Sequence, residues 1–542
     1  MAIIHQKDKR SGITYAYESK SRWDKEKQQS RSKRTLIGRW DEASGKIIPT
    51  DGRCRKDKPH TPTPNQTNQQ QHGLIPYTET AHRFYGATYL FDAIGDTIGI
   101  THDLEHCFPN TYKQILSIAY YLILEDNNPL YRFETWGMTH QHPFGHYIPS
   151  PRSSELFATL SDDAITQFFR LQGKRRIEKE YWAYDSTSIS SYSEVLKQVQ
   201  YGNNKEGDHL AQLNLLLVFG EKSGLPFYYR KLAGNIPDVK TVKNLLADLD
   251  VLGLEKTKLV MDRGFYSEAN INALYHEHLK FLIGVRISLA FVRKELDVVH
   301  GDGIRQFQYY NEDMDTYGIT RPIEWQYTEN RPYKGDILHE TRRMYLHLFY
   351  NIDKGAEYER AFDHRLAQYY QELLSNDRKE SHEKEYMKYF DLHQTPKRGL
   401  QITVKKEVIQ NEKRYFGYFA LISNEKMDAF TALQTYRTKD VVEKAFGNIK
   451  ERLNMRRLLV SSERSLDGKL FVEFIALIFI SYIHKKMQDQ KLYKEYTMHQ
   501  LLDKLDLIEC FLYPGHKLRV GEVLEKQKEI YNQFGVNPPT SL

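Results

Sequence analysis

A chain of 542 residues with 40% hydrophobic and 13% aromatic content exceeds one ordinary domain and can bury several cores, so it reads as a soluble, multidomain globular protein. Its net charge of +6 is unevenly spread: residues 1–60 hold sixteen Lys and Arg against eight Asp and Glu, a surplus larger than that of the whole chain. Three distant cysteines, Cys54, Cys107 and Cys510, give neither a disulfide framework nor a C-x-x-C metal pair, which fits a reducing, intracellular compartment.

The basic excess at the N-terminus is the footprint of contact with a polyanion, although a charge run alone reads equally as a solvated arm. Residues 1–30 lack the apolar core of a signal peptide. Within residues 13–49 alternation predicts short strands with a turn at Ser44-Gly45, and the segment 1–60 is taken as a basic arm. "TPTPNQTNQQQ" (61–71) has no apolar residue to bury, so 61–72 is a linker. Helical periodicity governs 73–177, with 111–126 as the clearest amphipathic helix and Ser161 as an N-cap.

From 178 the pattern changes to strands alternating with helices. Strands are predicted at 180–189, in a hairpin over 210–235 turned at Lys222-Ser223-Gly224, and at 256–264. A helix capped by Ser267 and the strand "KFLIGVRIS" follow. Three strands, a helix, a strand and a helix make a mixed sheet with helices packed on it. Residues 289–412 interrupt this rhythm with polar strands and one long charged helix, and read as an insertion. "RYFGYFALISN" (414–424) restores a strand, and "LFVEFIALIFISYI" (470–483), too short for a bilayer and containing Glu473, reads as a buried helix. The fold class is therefore multidomain α+β, a mixed α/β core in two parts (178–288 and 413–485) around the insertion, with a helical C-terminal region at 486–542.

Residues at the carboxyl ends of sheet strands line functional crevices. Asp185 ends one aromatic strand and Asp262 ends "KLVM" before Arg263-Gly264. Either alone is unremarkable, because Asp is common where strands meet turns. "YRTKDVVEKAFGNIK" (436–450), read as one helix, sets Tyr436, Lys439, Glu443 and Lys450 on one polar stripe, with Ala445, Phe446, Ile449 and Leu453 on the buried side. Taken singly, the stripe reads as a solvated face with an ion pair between Lys439 and Glu443 worth about 0.3–0.5 kcal/mol.

Taken together, these segments resemble the DDE transposases of bacterial insertion sequences. The subgroup concerned has a third motif of tyrosine, arginine, glutamate and lysine (Y-R-E-K) separated by two, three and six residues. Tyr436, Glu443 and Lys450 match it at the required spacings. Lys439 stands where the subgroup has arginine, which keeps the charge but gives up bidentate hydrogen bonding, and Arg437 is placed to compensate. "YDSTSIS" and "MDRGFYSEANI" look like the first and second motifs.

The resemblance implies a ribonuclease H-like catalytic core preceded by a helical DNA-binding domain. It implies Asp185, Asp262 and Glu443 as catalytic metal ligands, and Tyr436, Arg437, Lys439 and Lys450 as DNA contacts. It further implies two Mg2+ ions per site, for which Mn2+ can substitute, and a bacterial cytoplasmic, nucleoid-associated protein. The expected partners are double-stranded DNA, as terminal inverted repeats and target, and a second copy in a homodimer on DNA. No membrane and no nucleotide cofactor are expected. The activity implied is cut-and-paste transposition by two-metal-ion phosphodiester hydrolysis and joining of 3′-OH ends. The alternatives are an inactive, transposase-derived DNA-binding protein and a ribonuclease H-like nuclease without strand transfer. Hard divalent ions suit three carboxylates, whose mutual repulsion the cations relieve. His140, His142 and His146 have no cysteine or acidic partner at ligand spacing and read as ordinary loop histidines, as does His209 at a strand edge.

Overall fold

The computed structural model describes residues 2–8, 12–24, 29–42, 45–48, 80–126, 128–175, 180–193, 195–202, 209–254, 257–330, 335–395, 399–440, 447 and 462–540. They belong to two compact units, Met1–Leu74 and Ile75–Leu542. The predicted linker at 61–72, Cys54, Glu443 and Lys450 lie outside the described residues.

In the N-terminal unit, β1 (Ala2–Lys7), β2 (Thr14–Asp24), β3 (Gln29–Asp41) and β4 (Lys46–Ile48) form an antiparallel sheet in chain order. The β2–β3 register sets Lys20 opposite Lys33 and Arg22 opposite Arg31. Strand alternation puts all four positions on one face.

The second unit begins with β5 (Ala81–Phe84) and six helices: α1 (Gly86–Thr97), α2 (Ile100–Cys107), α3 (Tyr112–Leu124), α4 (Phe133–Thr139), α5 (Ser150–Thr159) and α6 (Asp162–Lys174). Ser161 caps α6 as expected, its side chain accepting from the Ala164 N–H. There follow β6 (Tyr181–Ser190), β7 (Gln212–Gly220), β8 (Pro226–Ala233), α7 (Thr241–Leu252), β9 (Lys258–Met261), α8 (Glu268–His276), β10 (Lys280–Val285) and α9 (Ala290–Val299). Ser267 caps α8 through the Asn270 N–H.

Strands β6, β7 and β8 are antiparallel neighbours, whereas β9 runs parallel to β6 and β10 parallel to β9. The polar stretch after 289 does not stand apart from this sheet. β11 (Tyr310–Asn311), β12 (Thr316–Asn330) and β13 (Ile337–Tyr350), with β16 (Tyr418–Ser423), extend it to nine strands in the order β11-β12-β13-β16-β10-β9-β6-β7-β8. Between β13 and β16 lie α10 (Ile352–Leu374), α11 (Glu383–Tyr389), the hairpin of β14 (Phe390–Thr395) and β15 (Gly399–Val404), and α12 (Lys406–Lys413). These enclose a small core of their own around Phe362, Leu373, Tyr386, Tyr389 and Phe390.

The chain continues through α13 (Ala429–Arg437), α14 (Glu463–Asp489), α15 (Met498–Asp506), β17 (Glu509–Leu512), β18 (Arg519–Val520) and α16 (Glu525–Phe534). The apolar run predicted as a buried helix is the middle of α14, with Phe471, Ile475, Phe479 and Ile483 fully enclosed. A Cβ at Gly468 would lie 2.1 Å from the Phe157 carbonyl oxygen, so glycine there lets α14 and α5 cross in backbone contact. β5 pairs with β17, joining segments more than 400 residues apart, and His140 Nε2 lies 3.0 Å from Asp506 beside that joint. His142 bonds Ser117 Oγ at 2.9 Å, and burial lowers its pKa to about 4. Both histidines are buried, where the sequence suggested ordinary loop histidines. Among the described residues no helix is long and apolar enough to cross a membrane.

Candidate active site

The middle of β6 and the ends of the parallel strands β9 and β10 build the site. The β6–β9 register pairs Tyr184 with Met261, so Asp185 and Asp262 stand at the same height on neighbouring strands. The β9–β10 register pairs Met261 with Ile283, which sets Gly284 level with Asp262 on the next strand. Alternation then decides the face. Val260 and Leu282 belong to the small cluster formed with Phe349, Leu421, Ala429, Ala432 and Leu433, against which Tyr181 and Tyr436 pack. Asp185, Asp262 and Gly284 share the parity of Tyr181, Val260 and Leu282, and therefore share their face. Asp262 stands just past the end of β9 as predicted, whereas Asp185 lies inside β6 and not at its end, and the register brings the two together.

Helix α13 crosses this face. Asp428 caps it, accepting from the backbone N–H groups of Phe430 and Thr431 at 3.0 Å each. In its last turn Tyr436 donates from its hydroxyl to Asp262 Oδ1 at 2.6 Å. Lys439 Nζ lies 3.7 Å from the same oxygen and 5.4 Å from the Tyr436 ring centroid.

The single helix expected over 436–450 is interrupted by a turn at Thr438 and Lys439, with Asp440 helical again. α13 ends at Arg437, with Thr438 as its C-cap, and Lys439 sits in the turn that follows. The Thr438 hydroxyl donates to the Thr435 carbonyl, a local bond that competes with helix continuation. Tyr436 and Lys439 therefore converge on Asp262 from a helix end and a turn, not from one straight stripe. The expected buried side of that stripe, Ala445, Phe446, Ile449 and Leu453, lies outside the described residues.

Electrostatics at Asp262 follow from this geometry. Burial alone would raise its pKa. The Tyr436 hydrogen bond, the Lys439 ammonium, and the Arg263 backbone N–H and guanidinium outweigh burial and hold the carboxyl below its usual range. Burial first, and the Asp262 charge second, push the Tyr436 phenol well above its ordinary value, so it remains a proton donor. On β6, the Ser186 N–H donates to Asp185 Oδ1 at 2.8 Å, and the Ser186 hydroxyl donates to Asp238.

Sequence reasoning gave Tyr436 to DNA, but in the structure its hydroxyl is engaged by Asp262. Arg437 is exposed at the end of α13. Three residues at this edge were not anticipated. Asp238 anchors Ser186, and the exposed Arg286 follows the end of β10 as the exposed Arg263 follows Asp262. Gly284, the third, was detectable as a glycine interrupting an apolar strand.

A family model described as a transposase DDE domain matches residues 178–479, more than half of the 542-residue chain. This chain belongs to that family. The matched span contains Asp185, Asp262 and the residues expected to form the third motif. No curated protein matches the chain. Among solved structures, the cryo-EM structure of the piggyBac transposase synaptic complex with hairpin DNA is similar at 12% identity and a TM-score of 0.31. That alignment covers 66% of this chain and 58% of the other, so the chain spans less than two thirds of its structural relative.

Proposed function

We propose that the chain is a DNA transposase. In this reading it binds the terminal inverted repeats of its own element, cleaves there and joins the freed 3′-OH ends to target DNA. The carrying observation is the placement of Asp185 and Asp262 at one height and on one face of neighbouring parallel strands, within a span matched by the transposase DDE domain model. The strand order β8-β7-β6-β9-β10, with the first three antiparallel and the last two parallel to β6, supports a ribonuclease H-like core.

The donors present suit hard divalent cations. Two carboxylates offer oxygen ligands, and Asp262 is kept charged. Among the described residues no trio of His, Cys, Asp or Glu forms a metal site, and the third ligand expected from the motif, Glu443, lies outside them. Mg2+ bound by Asp185, Asp262 and Glu443 would supply charge stabilisation to the attacking and leaving oxygens of the phosphodiester. The chain's own residues do the rest. Arg263, Arg286 and Lys439 rim the aspartates with cations that can hold the phosphates of an entering strand, and Lys450 is the further phosphate contact expected from the motif. The basic surplus of residues 1–60 suits contact with a polyanion. A homodimer on DNA follows from the need to cut and join two ends together.

The test is a plasmid integration assay with purified protein, Mg2+ and fragments ending in the inverted repeats that flank the coding region. Transposition predicts joined products with a target duplication. Cleaved but never joined ends would reduce the protein to a nuclease, and binding without cleavage would make it an inactive descendant.

A further inference from the structure

Gly284 sits inside β10, where glycine weakens a strand because it has no side chain to pack and the most backbone freedom to lose. It is not among the glycines whose backbone requires positive φ. The reason for glycine is therefore steric. A Cβ built at Gly284 would lie 2.6 Å from the Tyr436 hydroxyl oxygen, 3.2 Å from Tyr436 Cζ and 3.2 Å from the Arg263 backbone nitrogen. The first distance is shorter than any tolerable carbon–oxygen contact. The Tyr436 phenol occupies the space that a side chain at position 284 would fill, and from there it donates to Asp262 Oδ1 at 2.6 Å. Lys439 Nζ approaches that same oxygen at 3.7 Å.

We propose that Gly284 and Tyr436 are positioning residues for Asp262: the bare strand surface at Gly284 admits the phenol, which holds the carboxylate through Oδ1 in the orientation a divalent cation needs. This rests on the metal-binding reading given above. Tyr436 then orients a ligand, as outer-shell hydrogen-bond partners of metal-binding carboxylates do. A purely apolar role in the cluster under α13 would leave phenylalanine equivalent to tyrosine.

The experiment measures Mn2+ affinity of the full chain by electron paramagnetic resonance of the free ion, with melting temperature beside it. The proteins are wild type, Asp262→Asn, Tyr436→Phe, Gly284→Ala and the Tyr436→Phe/Gly284→Ala double variant. Tyr436→Phe is expected to weaken Mn2+ binding by about tenfold or more while melting close to wild type. Gly284→Ala should weaken it to a similar degree. The double variant should be no weaker than the weaker single one, because both changes remove one hydrogen bond. Wild-type affinity in Tyr436→Phe, with binding lost in Asp262→Asn, would overturn the positioning role alone. So would a Gly284→Ala effect that multiplies undiminished onto Tyr436→Phe, since alanine would then act by strain elsewhere. Unchanged affinity in Asp262→Asn would overturn the metal reading and this inference with it.

Discussion

The two faces of the central sheet are closed to different depths. On one, Met261, Phe281, Ile283 and Val285 join the large core that runs through α1–α9 and α14–α16. On the other, among the described residues, Val260 and Leu282 belong to a small cluster with Phe349, Leu421 and, from α13, Ala429, Ala432 and Leu433. The deep face is built for stability. On the shallow face Asp185 and Asp262 are both partly exposed among the described residues. Two acidic groups show the consequence. Glu473 in α14 is 2% exposed, its Oε2 has no hydrogen-bond partner, and burial pushes its pKa up to about 7 against the opposing Lys469 3.6 Å away. Asp262 is half-buried too, yet three neighbours hold it charged.

The largest effect should come from emptying the deep face. Phe479 is fully buried between Phe91 and Tyr120, and Phe479→Ala should cost about 3–5 kcal/mol in denaturant unfolding. A loss under about 1 kcal/mol would show that this core is not the stabilising one.

Next in size is the pH dependence due to Glu473. Its folded pKa is raised from 4.5 to about 7, so its contribution is fully present below the unfolded pKa and is lost as pH rises through about 7. Relative to Glu473→Gln, the wild type should lose on the order of 2–3 kcal/mol of stability across that window. Parallel stability–pH curves for the two proteins would contradict the assignment.

The smallest stability effect belongs to the shallow face. Asp428→Ala removes the cap of α13 and should cost about 1 kcal/mol by thermal unfolding. Because α13 carries Tyr436, this variant should lose more cleavage activity than its melting shift suggests. Equal losses would mean that α13 only covers the sheet.

Local chemistry was legible in the sequence and long-range pairing was not. Ser161 and Ser267 announced their helices, because a cap depends on three adjacent residues. The hairpin of β7 and β8 and the position of Asp262 at the end of β9 were equally local, whereas β6 runs on past Asp185 to Ser190. The joining of β13 to β16 was hidden, since it depends on a register between chain segments separated by the α10–α12 unit. So was the interruption at Thr438 and Lys439, after which Asp440 is helical again. Gly284 could be noticed but not explained until the Tyr436 phenol was seen above it.

The central claim is that the shallow-face carboxylates perform metal-dependent chemistry and contribute little to the fold. The most direct measurement puts Asp185→Asn, Asp262→Asn and Glu443→Gln through three assays on the same preparations: thermal unfolding, gel shift on inverted-repeat DNA, and Mg2+-dependent cleavage. The account predicts near-wild-type melting, retained DNA binding and cleavage reduced by about 100-fold or more, since misplacing the cation removes several kcal/mol of transition-state stabilisation. Near-normal cleavage by Asp262→Asn, or its global unfolding, would contradict it.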